Sequence, residues 1–389
     1  MNRATIVEWA EAQYRDLQFG RARAWVAEGK KAVGYLPVYA PVELIHAAGM
    51  LPVGIHGGGD QVDIIKGDAY YQSYICHLPR SVVELAVSGR LDFLAGALFP
   101  STCDVIRNLS GMWKVLFPDR YTRYVDLPQD FSPEVGGVFW ARELRELVHD
   151  LGELRGRPVT PDEIRAGIAD WNARRALVRA LYAKRRDEPH NVPTDELYLL
   201  MRAGEVVPLE EFTEMARAYL AVCDTDGRRP RDNARVVVIG SFCEQPPLGL
   251  IRTIERAGCY VVDDDFLVGN RFLTADVPLA AGDPIDALAR TFLHHTVQNP
   301  VVFERDPAAK KKLVGERLRA ARAEGVIFSA PSFCDPALLD RPMLQAGADR
   351  ERIAYISFKY AENTGQFQQF REQAGTFSDA IKLWGNPNA

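Results

Sequence analysis

Short apolar segments alternate with helical segments in two separate parts of the chain, and this alternation constrains the fold strongly. In the first part, a strand followed by a turn is predicted over residues 32–40, and a strand over 51–55. Residues 91–100 lead into a strand that ends at Pro100, and a further strand is predicted within 121–128. In the second part, strands are predicted at residues 235–240, 260–265, 326–331 and 352–360. Alternating strands and helices form a parallel sheet with helices on both faces. The sequence therefore predicts an α/β protein with two doubly wound parallel-sheet lobes of flavodoxin- or Rossmann-like type.

The segment between these two parts has a different sequence pattern. Residues 133–220 have helical periodicity and few strand signals, and Thr160 is followed by acidic first-turn residues, as at a helix N-terminus. A chain of 389 residues is long enough for two or three domains. We expect an N-terminal helix with the first lobe over residues 1–130, a helical domain over 131–230 and the second lobe over 231–389.

Charge and hydropathy argue against several classes of partner. The chain has 47 Lys and Arg against 52 Asp and Glu, a net charge of −5, whereas a nucleic-acid-binding protein usually has a basic patch. No run of about 18 apolar residues indicates a membrane span. The N-terminal residues are charged throughout, unlike a secretory signal. We therefore expect a cytoplasmic protein that binds neither nucleic acid nor membrane.

The six cysteines are too sparse for a disulfide framework, which leaves core thiols or a metal site. Two of them lie in a repeated motif, PSxCD, at residues 100–104 and 331–335, and each copy directly follows an apolar strand. Ligands of doubly wound sheets bind beyond the carboxyl ends of the strands. If the two lobes face each other, the thiols of Cys103 and Cys334 converge.

Cys76, which precedes a predicted helix, is a third candidate. Three cysteines from distant loops resemble neither the CxxC pairs of a zinc ribbon nor the closely spaced run of a ferredoxin. Three thiolates can hold an iron–sulfur cluster that leaves one iron open. The alternative is that the cysteines fill core space, as free cysteines often do. We assign Cys223, Cys243 and Cys259 to that alternative, although Cys243 also follows a strand and could line the same cleft.

Other motifs are weaker. The chain has neither GxGxxG nor GxxxxGK[ST], and hence no nicotinamide or ATP site of those types. Gly57, Gly58 and Gly59 are better interpreted as a turn than as a phosphate loop. His77 adjoins Cys76 and could lie near the cleft, but no catalytic residue can be named from the sequence.

Three segments of the first lobe carry a resemblance to a known family: GYLPVYAPVELIHAAGMLPVGIHGGGD, GDAYYQSYICHLPRS and FPSTCDVIRN. Together they resemble the benzoyl-CoA reductase and 2-hydroxyacyl-CoA dehydratase family. Within it, the chain is most similar to the smaller (C or gamma) core subunit of the ATP-dependent reductases. The later segments APSFCDP and ENTGQFQQF fit the C-terminal half of the family.

The resemblance implies a 4Fe–4S cluster held by Cys76, Cys103 and Cys334. It also implies a second homologous core subunit, and an ATPase activator that ferredoxin reduces. ATP would then bind on the partner subunits, which agrees with the missing ATP motif here. The implied activity is a ferredoxin- and ATP-dependent oxidoreductase that dearomatises benzoyl-CoA, or a close analogue, to a cyclohexadienoyl-CoA by single-electron transfer and protonation.

Two alternatives use the same cysteines. The chain could be a subunit of a 2-hydroxyacyl-CoA dehydratase, with the same cluster and activator but with its electron recycled. It could also be a non-catalytic subunit whose cluster only relays electrons. The cysteine motifs do not distinguish these three functions.

Overall fold

The computed structural model describes residues 1–36, 39–241, 243–266, 275–279, 282–295, 307–361 and 367–384. The strands are β1 (Ala32–Tyr35), β2 (Leu51–Gly54), β3 (Gly96–Pro100), β4 (Tyr121–Val125), β5 (Ala234–Ile239), β6 (Cys259–Asp264), β7 (Gly325–Pro331) and β8 (Ala354–Tyr360). The first-lobe helices are α1 (Arg3–Arg15), α2 (Gly20–Ala27), α3 (Val42–Ala47), α4 (His77–Val87) and α5 (Asp104–Leu116). The middle helices are α6 (Val138–Arg155), α7 (Pro161–Asp187), α8 (Thr194–Ala203) and α9 (Leu209–Thr225). The second-lobe helices are α10 (Leu248–Arg256), α11 (Pro284–His295), α12 (Pro307–Ala321), α13 (Asp335–Arg350) and α14 (Gln368–Trp384).

The strands form two four-stranded sheets with the same winding. The strand order is β2-β1-β3-β4 in the first sheet and β6-β5-β7-β8 in the second, and every pairing is parallel. In the first sheet the strand order reverses between β1 and β3, and in the second sheet it reverses between β5 and β7. These are the topological switch points where ligands of such sheets bind. The predicted α/β fold with two parallel sheets is confirmed.

Local chemistry explains where several elements begin and end. β3 and β7 are buried along their whole length, as strands between two helical layers are. Helix α7 begins at a capping box in which Thr160 and Glu163 pair reciprocally. The expected N-terminal helix is divided, because α1 ends at Arg15 and α2 begins at Gly20. The Asp16 carboxylate there accepts the N–H groups of Gln18 and Gly20, at 2.9 and 2.6 Å, and so competes with helical hydrogen bonds.

Apolar cores join the parts of the chain. One core surrounds the first sheet and continues into the second lobe through Cys243, Ala330, Cys334 and Ala337. A second core combines α1, α7, α8 and α9 with one face of the second sheet, and a third covers the opposite face. The lobes therefore meet in a buried layer at the cysteine loops. No helix within the described ranges is long and apolar enough to cross a membrane.

Candidate metal centre

Three helices near the junction of the lobes begin directly after a cysteine. Cys76 is the N-cap of α4, Cys103 the N-cap of α5 and Cys334 the N-cap of α13. A helix N-terminus carries partial positive charge and unpaired N–H groups, which stabilise a thiolate. The three cysteines predicted as ligands therefore share a setting that favours their deprotonated, metal-binding form.

Burial and mutual repulsion act against that form when the thiols are left to themselves. Burial is the main cause that raises the pKa of Cys76 well above its usual value, and the nearby Cys334, Glu244 and Cys103 add to the effect. Burial also raises the pKa of the Cys103 thiol, although N–H groups in the first turn of α5 lower it. This mutual influence indicates that the three thiols lie near one another. A cationic group bound there would relieve both the burial cost and the repulsion.

Within the described ranges, no three His, Cys, Asp or Glu side chains form a group that could hold one ion. A mononuclear zinc site needs sulfur atoms about 2.3 Å from the metal. A polynuclear cluster is larger than one ion and takes thiolates that stand farther apart. Cys76, Cys103 and Cys334 supply three thiol side chains, the type of ligand that iron–sulfur clusters take.

An orphaned hydroxyl gives a further observation on this pocket. The Tyr71 Oη atom is buried and has no hydrogen-bond partner among the residues that the structure describes. Burial raises the pKa of Tyr71, and the adjacent Cys76 and Cys103 contribute. A buried hydroxyl without a partner costs about 1–3 kcal/mol, so such groups point to a partner that is absent. A sulfur atom of a metal cluster bound between these thiols would accept that hydrogen bond.

Cys243, which we expected to be a packing residue, lies in the same pocket. It is 5% exposed, and its Sγ donates a hydrogen bond to Thr102 Oγ1 at 3.7 Å, next to Cys103. Burial raises the pKa of Cys243 well above its usual value, and Cys103, Cys334 and Cys76 add to the effect. The signal in the sequence was the strand that precedes Cys243, although the Pro-Ser pair found before Cys103 and Cys334 is absent there.

The other two cysteines lie elsewhere. The Cys223 thiol contacts the carbonyl of Asn191 at 3.6 Å, and the Cys259 thiol contacts the carbonyl of Ala374 at 3.8 Å. Both side chains belong to the apolar core around α8, α9 and the second sheet. Their surroundings are those of cysteines that fill core space.

Sequence reasoning missed Glu244, which links the two lobes at the pocket. Its carboxylate accepts the backbone N–H of His77, the first residue of α4, at 3.0 Å. Glu244 is 1% exposed, so this acceptor faces a helix N-terminus in a buried setting. The second lobe thus holds the end of the helix that carries Cys76. The only signal in the sequence was the position of Glu244 in a loop that follows a buried strand.

The glycine triplet forms a turn, as the sequence suggested. Gly57 has a φ of 74°, and the N–H of Gly58 donates to Ser81 Oγ on α4 at 2.6 Å. That N–H is therefore occupied by the protein itself. Arg80 lies on the same helix and forms an ion pair with the Asp68 carboxylate at 2.9 Å. Arg107, on α5, has an exposed side chain.

Comparison with known proteins decides the family. The profile of the family described as "2-hydroxyglutaryl-CoA dehydratase, D-component" matches residues 37–381, which is most of the chain. The chain belongs to this family. The family match spans the strands from β2 to β8, the helical segment between the two sheets and the cysteines of the pocket.

Known relatives differ in how similar they are to this chain. The C subunit of benzoyl-CoA reductase of Thauera aromatica is 53% identical over 386 residues, 99% of this chain and 100% of the relative. The beta subunit of (R)-2-hydroxyglutaryl-CoA dehydratase of Acidaminococcus fermentans is 27% identical over 360 residues, 91% of this chain and 93% of the relative. The beta subunit of (R)-phenyllactyl-CoA dehydratase of Clostridium sporogenes is 23% identical over 354 residues, 91% and 92% of the two chains.

Proposed function

We propose that this chain is the iron–sulfur core subunit of an ATP-dependent benzoyl-CoA reductase. The observation that carries the proposal is the 53% identity to the C subunit of the Thauera aromatica reductase over essentially the whole of both chains. Identity to the dehydratase beta subunits is about half as high. The working enzyme would contain a second homologous core subunit and an ATPase activator, with ferredoxin as electron donor and the cytoplasm as its location. Its substrate would be benzoyl-CoA or a close analogue.

The cofactor in this proposal is a 4Fe–4S cluster bound by Cys76, Cys103 and Cys334. Such a cluster, when bound, supplies single electrons at low potential. The three helix N-termini stabilise the thiolates that hold it. Tyr71 offers its hydroxyl as a hydrogen-bond donor. Hydrogen bonds to sulfur are among the features that tune the reduction potential of a cluster.

Besides holding the cluster, the chain would exclude water from this pocket. Reduction of an aromatic ring requires an electron of high energy, which would otherwise reduce protons of the solvent. Cys76, Cys243 and Cys334 are between 4% and 8% exposed, and the surrounding core is continuous between the lobes. A buried apolar wall of this kind keeps solvent from the electron carrier.

A 2-hydroxyacyl-CoA dehydratase subunit is the second candidate function. It is favoured by the family profile and by the dehydratase beta subunits that match over 91% of this chain. The two reactions differ in electron balance. The reductase consumes electrons with every ring that it reduces, whereas the dehydratase returns its electron after each turnover.

Turnover with a complete complex tests the proposal. The chain is purified under argon with its partner core subunit and activator, and supplied with ATP, a strong reductant and either acyl-CoA class. We expect benzoyl-CoA to be consumed with net uptake of electrons. Dehydration of a 2-hydroxyacyl-CoA without net electron uptake, and with benzoyl-CoA untouched, would contradict the reductase function.

Iron analysis tests the cofactor separately. Cys334→Ala is expected to lower the iron and sulfide content, because it removes one of three thiolates. Cys259→Ala is the matched control, since Cys259 is a fully buried cysteine of the same lobe outside the pocket. Equal iron content in both variants would contradict the ligand assignment.

A further inference from the structure

We propose that a cavity at the outer edge of the first sheet binds a small uncharged aromatic compound that carries an oxygen hydrogen-bond acceptor. This inference goes beyond the proposed function and involves none of the cysteines. The cavity lies beside the edge strand β2, between α2, α7 and the loop from α8 to α9. Its volume is about 80 Å³. Sites for drug-sized ligands hold roughly 300 Å³ or more, so the ligand here has about the size of one ring.

Aromatic side chains form much of the wall of this cavity. Trp25, Tyr35 and Trp171 all line it. Cationic neighbours hold two of these rings in place. Lys30 Nζ lies 3.8 Å from the centroid of the Trp25 ring, and the guanidinium carbon of Arg174 lies 5.0 Å from the centroid of the Trp171 ring. Aromatic walls that are already ordered stack on a flat ligand at little cost in conformational entropy, so they favour an aromatic ring.

Two buried N–H donors on the Trp171 side of the cavity lack acceptors. The indole N–H of Trp25 donates to the carbonyl of Lys31 at 3.1 Å, whereas Trp171 Nε1 has no hydrogen-bond partner among the residues that the structure describes. Arg174 Nη1 also lacks one within the same described part of the chain. A buried donor without an acceptor costs about 1–3 kcal/mol. In the proposed complex, an oxygen atom of the ligand accepts the Trp171 N–H and removes part of this cost.

The charges around the cavity favour an uncharged ligand. Arg174 Nη2 pairs with the Glu205 carboxylate at 2.7 Å, and His46 Nε2 lies 3.1 Å from the Asp170 carboxylate. Glu210 lines the cavity with an exposed side chain and adds a negative charge. An anion would therefore meet carboxylates, while these two cationic partners are already paired. A cation would find the faces of the two indole rings occupied by cationic side chains.

The indole N–H signals in proton–nitrogen NMR spectra of the full-length chain can report this binding. The probes are benzamide, benzoate and toluene, which share one ring and differ in acceptor and charge. Trp171→Phe keeps a ring at the wall, lacks the N–H and assigns the Trp171 signal. Trp140→Phe is the matched control. Trp140 is a buried tryptophan of α6 whose Nε1 also has no partner within the described ranges, but it does not line the cavity.

We expect benzamide to shift the Trp171 signal with saturation and to bind the unmodified chain more tightly than toluene or benzoate does. Trp171→Phe should weaken benzamide binding about 5-fold more than it weakens toluene binding, as expected for the loss of one hydrogen bond. A wall that acts only through packing would affect the two ligands alike. Trp140→Phe should bind both ligands as the unmodified chain does.

Three results would overturn the inference. Benzamide that causes no saturable shift in the unmodified chain would exclude the site, and benzoate that binds more tightly than benzamide would exclude an uncharged ligand. An unchanged ratio of benzamide to toluene affinity in Trp171→Phe would exclude the role of its N–H. The first two comparisons use the unmodified chain and decide the matter even if Trp171→Phe does not fold. None of these results bears on the cluster or on the acyl-CoA reaction.

Discussion

Glu244 makes the inter-lobe contact whose energetic contribution is easiest to isolate. Its carboxylate accepts the N–H of His77 at the start of α4, and it is almost fully buried. Glu244→Ala leaves this N–H without its acceptor, so we expect the free energy of unfolding to fall by about 1–3 kcal/mol. Urea unfolding of the cluster-free chain measures the change.

Two other substitutions show whether the contact itself is responsible. Glu244→Gln keeps an amide oxygen that can accept the same hydrogen bond, so its loss of stability should be smaller than that of Glu244→Ala. Glu8 is an exposed glutamate of α1, and Glu8→Ala should change stability by no more than about 0.5 kcal/mol. Equal effects of Glu244→Ala and Glu8→Ala would contradict the proposed contact.

At the scale of elements, the end of β5 depends on a glycine. Gly240 has a φ of 122°, and a Cβ atom there would lie 2.9 Å from the carbonyl oxygen of Ser329 on β7. Gly240→Ala therefore combines backbone strain with a steric clash, and we expect it to destabilise the chain by about 1–3 kcal/mol. Thermal or urea unfolding measures this loss.

Gly227 provides a control for the same substitution. A Cβ atom there meets nothing within 4 Å, and its φ lies outside the left-handed range. Gly227→Ala should be neutral or should stabilise by up to about 1 kcal/mol, because it reduces the entropy of the unfolded chain. If the two alanine variants have the same stability, the prediction that Gly240→Ala strains the backbone is wrong.

The junction of α8 and α10 predicts a pH dependence. Glu255 accepts the N–H of Thr194, the first residue of α8, at 2.9 Å, and burial raises the pKa of Glu255 to about 7. An unfolded glutamate titrates near pH 4.3, so the folded state binds this proton more tightly. Stability from this group is therefore present at low pH and falls as pH rises toward about 7, by at most about 1.4 kcal/mol per pH unit.

Glu255→Gln removes this titration while it keeps an oxygen for the Thr194 N–H. We expect the decline of unfolding free energy between about pH 5 and pH 7 to become shallower in this variant. Urea unfolding across that range measures the slope. Glu8→Gln is the control at an exposed position of α1, and a slope as shallow as that of Glu255→Gln would contradict the assignment.

At the scale of the whole molecule, the proposed cluster joins two lobes that are far apart in sequence. Cys76 and Cys103 come from the first lobe and Cys334 from the second. Binding of such a group adds to the free energy of folding, because the unfolded chain has no preformed site. Removal of the iron should therefore destabilise both lobes together. A loss of about 3 kcal/mol is expected for a ligand whose free concentration is about one hundred times its dissociation constant.

Thermal unfolding under argon, before and after treatment with an iron chelator, measures this effect. We expect the chelator to lower the Tm of the unmodified chain and to leave the Tm of Cys334→Ala nearly unchanged, since that variant has little iron to lose. Hydrogen exchange should rise in β3 and β7 alike. An equal change of Tm in both proteins would show that the iron does not join the lobes.

Most of the fold could be predicted from the sequence, because the signals involved are local. Apolar runs such as residues 235–240 and 326–331, with helical segments between them, were enough to indicate parallel sheets. The break in the N-terminal helix was not predicted, since it depends on the Asp16 side chain competing for nearby N–H groups. The domain boundaries stay a prediction, and the cores of the structure extend across the junctions between these parts.

The sequence by itself determined that Cys103 and Cys334 lie in loops at the ends of parallel strands, because motif and strand are adjacent in the chain. Tertiary structure alone decided which other residues join them. Glu244 meets His77 across 167 residues of sequence, and Cys243 meets Thr102 across 141. No periodicity or spacing records such contacts, because they depend on how one lobe packs against the other. Packing therefore placed Cys243 beside Thr102, where the local sequence had favoured a packing residue and left a position in the cleft open.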